Sequence, residues 1–159
     1  MIGEKFEILL DEFGKLIKVP LKPDKFNCCS IKFKGGLIVQ LEPDKRGYFL
    51  HIATEIIPLP QGKFRENVLR EALKANGLPP PRNGIFSFSK KKDSLILYER
   101  APLETATGQN LVELLTLFCR KAQFWKESLQ KNQIPSFTEN ELTFAPTGGG
   151  AGGLFGLVK

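Results

Sequence analysis

The apolar residues of this chain change their spacing four times between the N-terminus and Leu129, and that alternation constrains the fold more tightly than any composition figure. Ile2, Phe6, Leu9, Leu10, Phe13, Leu16 and Ile17 recur every three or four positions, with Glu4, Glu7, Asp11, Glu12 and Lys15 between them. Such spacing predicts an amphipathic helix that stops before Pro20. From Phe26 the period becomes two: Cys29, Ile31 and Phe33 alternate with Ser30, Lys32 and Lys34. Gly35-Gly36 turns the chain, and Leu37, Val39 and Leu41 then flank Ile38 and Gln40, which reads as a hairpin. A second turn, Pro43 to Gly47, leads into YFLHIATEII, where Tyr48, Leu50, Ile52 and Ile56 are expected to share one face. The result is a three-stranded antiparallel meander.

Pro58 and Pro60 close that strand, and helical spacing returns at Phe64, Val68, Leu69, Ala72 and Leu73. Asn76-Gly77 is expected to supply a left-handed stop. After the Pro79-Pro80-Pro81 linker, IFSFS and SLILYER form a hairpin around Lys90 to Asp93, with Ala101-Pro102 as terminator. Leu111, Leu114, Leu115, Phe118, Cys119, Ala122, Trp125 and Leu129 make a long last helix, broken by Asn132 and Pro135. Blocks of adjacent strands with one helix inserted describe an α+β fold, an antiparallel sheet with three helices in the order α-β-β-β-α-β-β-α. The length suits one core, so residues 1–135 are read as one domain and 136–159 as a flexible glycine-rich tail. In that tail TGGGAGGLFGLVK lacks the Lys-Ser/Thr and the flanking strand and helix of a phosphate loop, and reads as a tether.

Chemistry-bearing constellations are sparse. The single histidine, His51, lies mid-strand with no acid at a motif spacing, so no nucleophile–base pair can be assembled from it. Cys28, Cys29 and Cys119 include no Cys-x-x-Cys; the first two point to opposite faces of a strand and read as reduced thiols. Glu99 and Arg100 likewise point apart. No metal, cofactor or catalytic residue is therefore expected. No apolar run reaches the roughly 18 to 20 residues of a bilayer span, and Glu4, Glu7, Asp11 and Glu12 are incompatible with a signal peptide, so the expectation is a cytoplasmic protein without membrane insertion. The net charge of +6 would suit nucleic acid, with Phe26, Phe33, Phe49, Phe86 and Phe88 as stacking residues. The lysines are scattered over several elements, however, and no RNP-like motif is present; this basic nucleic-acid-binding module is the alternative reading. What the chain has in excess is apolar surface: Leu37-Ile38-Val39, Phe49 with Leu50, and Leu95-Ile96-Leu97-Tyr98 are apolar on both strand faces. Helices on one side of a single sheet cannot cover both, so the surplus is expected to meet another copy or another protein.

LREALKANG (residues 69 to 77), the hairpin IFSFSKKKDSLILYERAPLE and the helix LVELLTLFCRKAQFWKESL resemble the class I type III secretion chaperones of the Tir chaperone family. The resemblance covers about residues 2 to 131 and rests on a helix ending in Ala75-Asn76, a Leu95-x-Leu97 strand running to Pro102-Leu103, and a last helix carrying Phe118 and Trp125. It implies a homodimer without enzymatic activity that holds the extended N-terminal segment of a secreted effector in the bacterial cytoplasm, with the secretion ATPase as a further candidate partner and no role for nucleic acid. Cargo contacts are then expected at Phe6, Leu10, Phe13, Ile31, Phe33, Leu37 and Val39, and dimer contacts at Phe64, Val68, Leu69, Phe86, Phe88 and Ile96. Such chaperones are commonly acidic and this chain is basic; Lys32 and Lys34 would then draw in an acidic effector. The five glycines between Gly148 and Gly153 argue that residues 145–159 are dispensable for folding. Their deletion is expected to leave the melting temperature within a few degrees of the full chain, and a much larger fall in a thermal scan would contradict this.

Overall fold

The computed structural model describes residues 2–136; the glycine-rich tail of the sequence reading lies outside the described residues. The order is α1 (Ile2–Ile17), β1 (Cys29–Lys32), β2 (Ile38–Pro43), β3 (Phe49–Pro58), α2 (Lys63–Asn76), β4 (Ile85–Ser89), β5 (Ser94–Pro102) and α3 (Gly108–Gln130). The strands form one antiparallel sheet in the order β1-β2-β3-β5-β4. β5, apolar on both faces, takes an interior place beside β3, with Phe49 opposite Pro102 and Pro58 opposite Ser94; a bulge at Ile56 absorbs one extra residue. β4, shorter and serine-bearing, is left at the edge, where a weaker strand is tolerated.

One face of the sheet carries the core. Ile31, Val39, Leu41, Leu50, Ile52, Leu95 and Leu97 alternate inward and pack with Phe6, Leu9, Leu10 and Phe13 of α1 and with Leu115, Phe118, Ala122 and Trp125 of α3. Trp125 meets Phe86 with ring centroids 4.3 Å apart. α1 and α3 pack side by side, and one close contact between them is made by a glycine. A Cβ at Gly108 would stand 2.8 Å from Glu12 Cβ and 2.9 Å from the Glu12 carbonyl carbon. The same approach lets Gly108 N–H donate to Glu12 Oε2 at 3.0 Å, while the Thr107 hydroxyl oxygen accepts from Asn110 N–H at 3.2 Å. Two free amides at the start of α3 are thereby capped, one locally and one by another helix.

Four local expectations are corrected. Tyr48 is 63% exposed, because the strand starts one residue later and Asp44 Oδ1 accepts from the Tyr48 and Phe49 amides to hold the turn. Leu16 and Leu73 face solvent: each lies on the rim of its helix's apolar arc, beyond the reach of the sheet. Gly77 stays right-handed, with φ −81° and ψ −6°; its N–H bonds back to Leu73 and Lys74, and the helix unwinds through Leu78 instead of reversing.

The entry to β4 is tied down by α3. Lys121 Nζ donates to the carbonyls of Arg82 and Gly84 at 2.8 and 2.7 Å and stands 4.8 Å from the Phe86 ring centroid. Burial pushes its pKa down to about 8, against an opposing pull from Glu99 and with a further push from Arg82.

Two measurements check this packing. Gly108→Ala is expected to lower the urea midpoint by the equivalent of about 1–3 kcal/mol, since backbone must move. Gly3→Ala, with open space around it, should not lower the midpoint. For Lys121 the folded state binds the proton less tightly than the unfolded chain, so the penalty of burying the ammonium is fully present below about pH 8 and is relieved as pH rises from there toward 10.5. Wild type is therefore expected to gain stability relative to Lys121→Met across that window, read as urea midpoints on either side of it; a parallel pH response of the two proteins would refute the assignment.

Candidate binding surface

The face of the sheet opposite the core is read directly from strand register. One cross-strand row runs Ser30, Gln40, Ala53, Tyr98, Ile85, and the neighbouring positions pair Lys32 with Ile38, Glu55 with Ile96 and Ile96 with Ser87. A third row, Glu42, His51, Arg100, is polar. Ile38 and Ile85 are exposed, at 55% and 43%, and Ala53, Ile96 and Tyr98 are half-buried. The face is therefore mixed, with Ile38, Ala53, Ile96, Tyr98 and Ile85 set among Lys32, Gln40, Glu55 and Ser87. It opens at one end into a groove of about 410 Å³ with Ile38, Ala53, Ile57 and Ile96 on its walls and Lys92 and Lys126 among its charged residues.

His51 sits in the polar row with Nδ1 2.6 Å from the Tyr98 hydroxyl and the two rings stacked at 5.8 Å, so the histidine braces the outward tyrosine. Arg100 lies over Phe49, its guanidinium carbon 4.5 Å from the ring centroid, and Glu99, opposite the inward Ile52, is on the other face. Burial pushes the thiols of Cys29 and Cys119 up to about 11 and about 12, so both are protonated, weak nucleophiles at neutral pH. Among the described residues no cluster of three metal-ligating side chains occurs, and no helix is long and apolar enough to cross a membrane.

The edges complete the surface. Phe33 N–H donates to Leu37 C=O at 2.8 Å at the end of the β1–β2 ladder, and antiparallel alternation then turns Cys29 and Ile31 toward β2. The backbone N–H and C=O of Ser30 and Lys32 consequently lie along the outer edge. At the opposite edge, Asn76 at the end of α2 bonds to both backbone groups of Phe86.

The seven residues expected at cargo are all interior. Phe6, Leu10, Phe13, Ile31, Phe33, Leu37 and Val39 are at most 2% exposed and belong to the core cluster, so they offer almost no surface to a partner in this arrangement. The accessible apolar residues on the same elements are Ile8, Leu16 and Ile38. Of the six residues expected at a dimer contact, Val68 and Phe86 are buried within the chain, whereas Phe64, Leu69, Phe88 and Ile96 are half-buried. Ile96 lies on the open face of the sheet with Ile85, whereas Phe88 shares the inward face with Leu95; Leu73 on α2 is 70% exposed. The five phenylalanines of the nucleic-acid alternative do not assemble: Phe33 and Phe86 are buried, Phe49 and Phe88 half-buried, and Phe26 stands alone at 71% exposure outside the sheet. Stacking needs several open rings on one face, so nothing in this geometry supports that module. The sequence reading counts Ile38, Ile96 and Tyr98 among the surplus apolar surface but gives Ile38 and Tyr98 no site role, and does not single out Ile85; the signal is an apolar residue at the outward position of an alternating strand.

A family model described as the Tir chaperone protein (CesT) family matches residues 8–126. No curated protein matches the sequence. Among solved structures the chain is similar to one in the HopA1–SchA chaperone–effector complex, with 17% identity and a TM-score of 0.65 over 79% of this chain and 95% of that one. It is also similar to a chain of the ExsC–ExsE complex, with 21% identity and a TM-score of 0.61 over 79% and 93%. A third likeness is to the Yersinia pestis type III secretion chaperone SycH in complex with a stable fragment of YscM2, with 18% identity and a TM-score of 0.57 over 74% and 96%. At these identities the structures establish the fold, and the family model, which spans most of the chain from α1 into α3, establishes the lineage: the chain belongs to the Tir chaperone protein (CesT) family.

Proposed function

We propose that this protein is a type III secretion chaperone, a binding protein and not an enzyme, which holds the extended N-terminal segment of a secreted effector in the bacterial cytoplasm. In this role it keeps the segment competent for delivery to the secretion apparatus, with the secretion ATPase as the partner that receives the complex. The observation that carries the reading is a Tir chaperone family match on a chain whose sheet leaves one face, bearing apolar residues among polar ones, uncovered by α1 and α3, and one edge with the backbone groups of Ser30 and Lys32 turned outward. An extended peptide uses both features: its main chain pairs with an open edge, and its alternate side chains enter apolar depressions. The contacts we assign are Ile8 and Leu16 on α1 and Ile38 and Ile96 around the groove, with the seven interior residues of α1 and the β1–β2 hairpin as the layer that holds these in place. Lys32 and Lys126 favour an acidic cargo, Lys92 being already paired with Glu55 at 3.4 Å; the attraction raises the encounter rate and weakens with salt.

The same reading includes a homodimer. Phe64, Leu69, Leu73 and Phe88 form an apolar patch along α2 and β4, on the side away from the β1 edge, and a second copy of the chain is the occupant proposed for it.

The prediction has two arms. Ile38→Asp and Ile96→Asp place a charge on the open face, and each removes side-chain burial of about 1.5–3 kcal/mol from a bound segment. Capture of an effector N-terminal segment should fall by roughly ten- to a hundredfold with the assembly mass unchanged; undiminished capture by both variants would discard this surface. Light scattering should give twice the 17.8 kDa chain mass for wild type and a single chain for Leu73→Asp. A wild-type monomer at micromolar concentration would contradict the dimer.

A further inference from the structure

The two edges of the sheet differ in one respect that the family reading leaves unexplained. β1 ends the sheet with the backbone groups of Ser30 and Lys32 turned outward. At β4 the corresponding groups of Phe86 are taken: Asn76 Oδ1 accepts from Phe86 N–H at 2.7 Å, and Asn76 Nδ2 donates to Phe86 C=O at 2.9 Å. Both groups of one strand residue point the same way, so they face away from β5, toward the position where a sixth strand would pair. A primary carboxamide offers the same donor and acceptor as a peptide group. It therefore satisfies the edge as a neighbouring strand would. The side chain is held in place because α2 is anchored next to it by Val68, Ala72 and Ala75, all buried, and because Asn76 is the last residue of that helix.

We propose that Asn76 is an edge lock: its carboxamide closes β4 against an added strand and thereby directs strand addition to β1. For a cargo strand this consequence rests on the chaperone reading, but the lock itself is a property of the chain alone. Without it, the natural occupant of the opened edge is β4 of a second copy, since unpaired edge strands template their own kind. Asn76 is thus a positioning residue for the backbone of β4, and it selects which of two edges is available.

The experiment uses the full chain with Asn76→Ala and Asn76→Asp. Alanine removes both hydrogen bonds; aspartate keeps an acceptor for Phe86 N–H but sets a carboxylate against Phe86 C=O. Lys74→Gly, an exposed change on the same helix costing about 1 kcal/mol, controls for simple destabilisation. Amide exchange at Phe86 should become on the order of tenfold faster in Asn76→Ala, the effect of one lost hydrogen bond, with Leu97 on β5 unchanged. Light scattering should then detect species larger than the wild-type assembly that grow with concentration in both Asn76 variants and not in Lys74→Gly. Wild-type exchange at Phe86 in Asn76→Ala would overturn the proposal. So would faster exchange without any new association, or equal association in the Lys74→Gly control. None of these readouts involves cargo, so failure here leaves the chaperone reading standing, and failure of cargo capture leaves the lock standing.

Discussion

The pairing of β3 with β5 is the constraint on which the rest of the structure depends. It joins the N-terminal meander to the C-terminal hairpin through a ladder from Phe49 opposite Pro102 to Pro58 opposite Ser94, across a chain separation that includes all of α2 and β4. Closing so long a loop costs conformational entropy before any contact is made. The ladder offsets that cost by burying Leu50, Ile52, Leu95 and Leu97 along its inward row. Once β5 is beside β3, β4 is sent to one edge and β1 to the other, and α2 must run along β4. The two edges of the sheet follow from this single choice of neighbour.

A second consequence is that the sheet is covered on one side only. α1 and α3 lie together over the inward row, with Gly108 allowing a separation that no larger residue permits. They cannot also reach the far face. Ile38, Ile85, Ile96 and Tyr98 stay outside, in a mixture with Gln40, Ser87 and Arg100 that keeps the surface wettable. The extended cargo proposed for this protein would meet such a face through several separate side-chain contacts. Affinity would be distributed over shallow depressions and main-chain bonds.

Asn76 illustrates how a sequence signal can be read for the wrong reason. Asn-Gly at the end of a helical pattern ordinarily marks a left-handed stop, yet Gly77 is right-handed and the asparagine side chain instead completes the edge of β4. Local propensity cannot reveal this, because the partner lies ten residues away on an element whose neighbour is decided elsewhere. The inward burial of Phe6, Leu10, Phe13, Ile31, Phe33, Leu37 and Val39 has the same origin: an apolar residue on an amphipathic element is equally consistent with core and with a binding patch until the cover on that face is known.

The sequence by itself determined the elements and the family. Periods of 3.6 and 2 depend only on the geometry of side chains along a helix or strand, so three helices, five strands, their order and most of their inward residues were legible from Ile2 to Gln130. Outward apolar residues such as Ile38 and Ile96 were visible as well, but nothing local distinguished them from the rest of an apolar strand. Only the tertiary structure decided that β5 lies between β3 and β4, that one face stays open, and that Asn76 occupies an edge while Tyr48 and Leu73 face solvent. These are outcomes of competition among elements for a limited buried area, and that competition is settled between parts of the chain far apart in sequence, where periodicity carries no information.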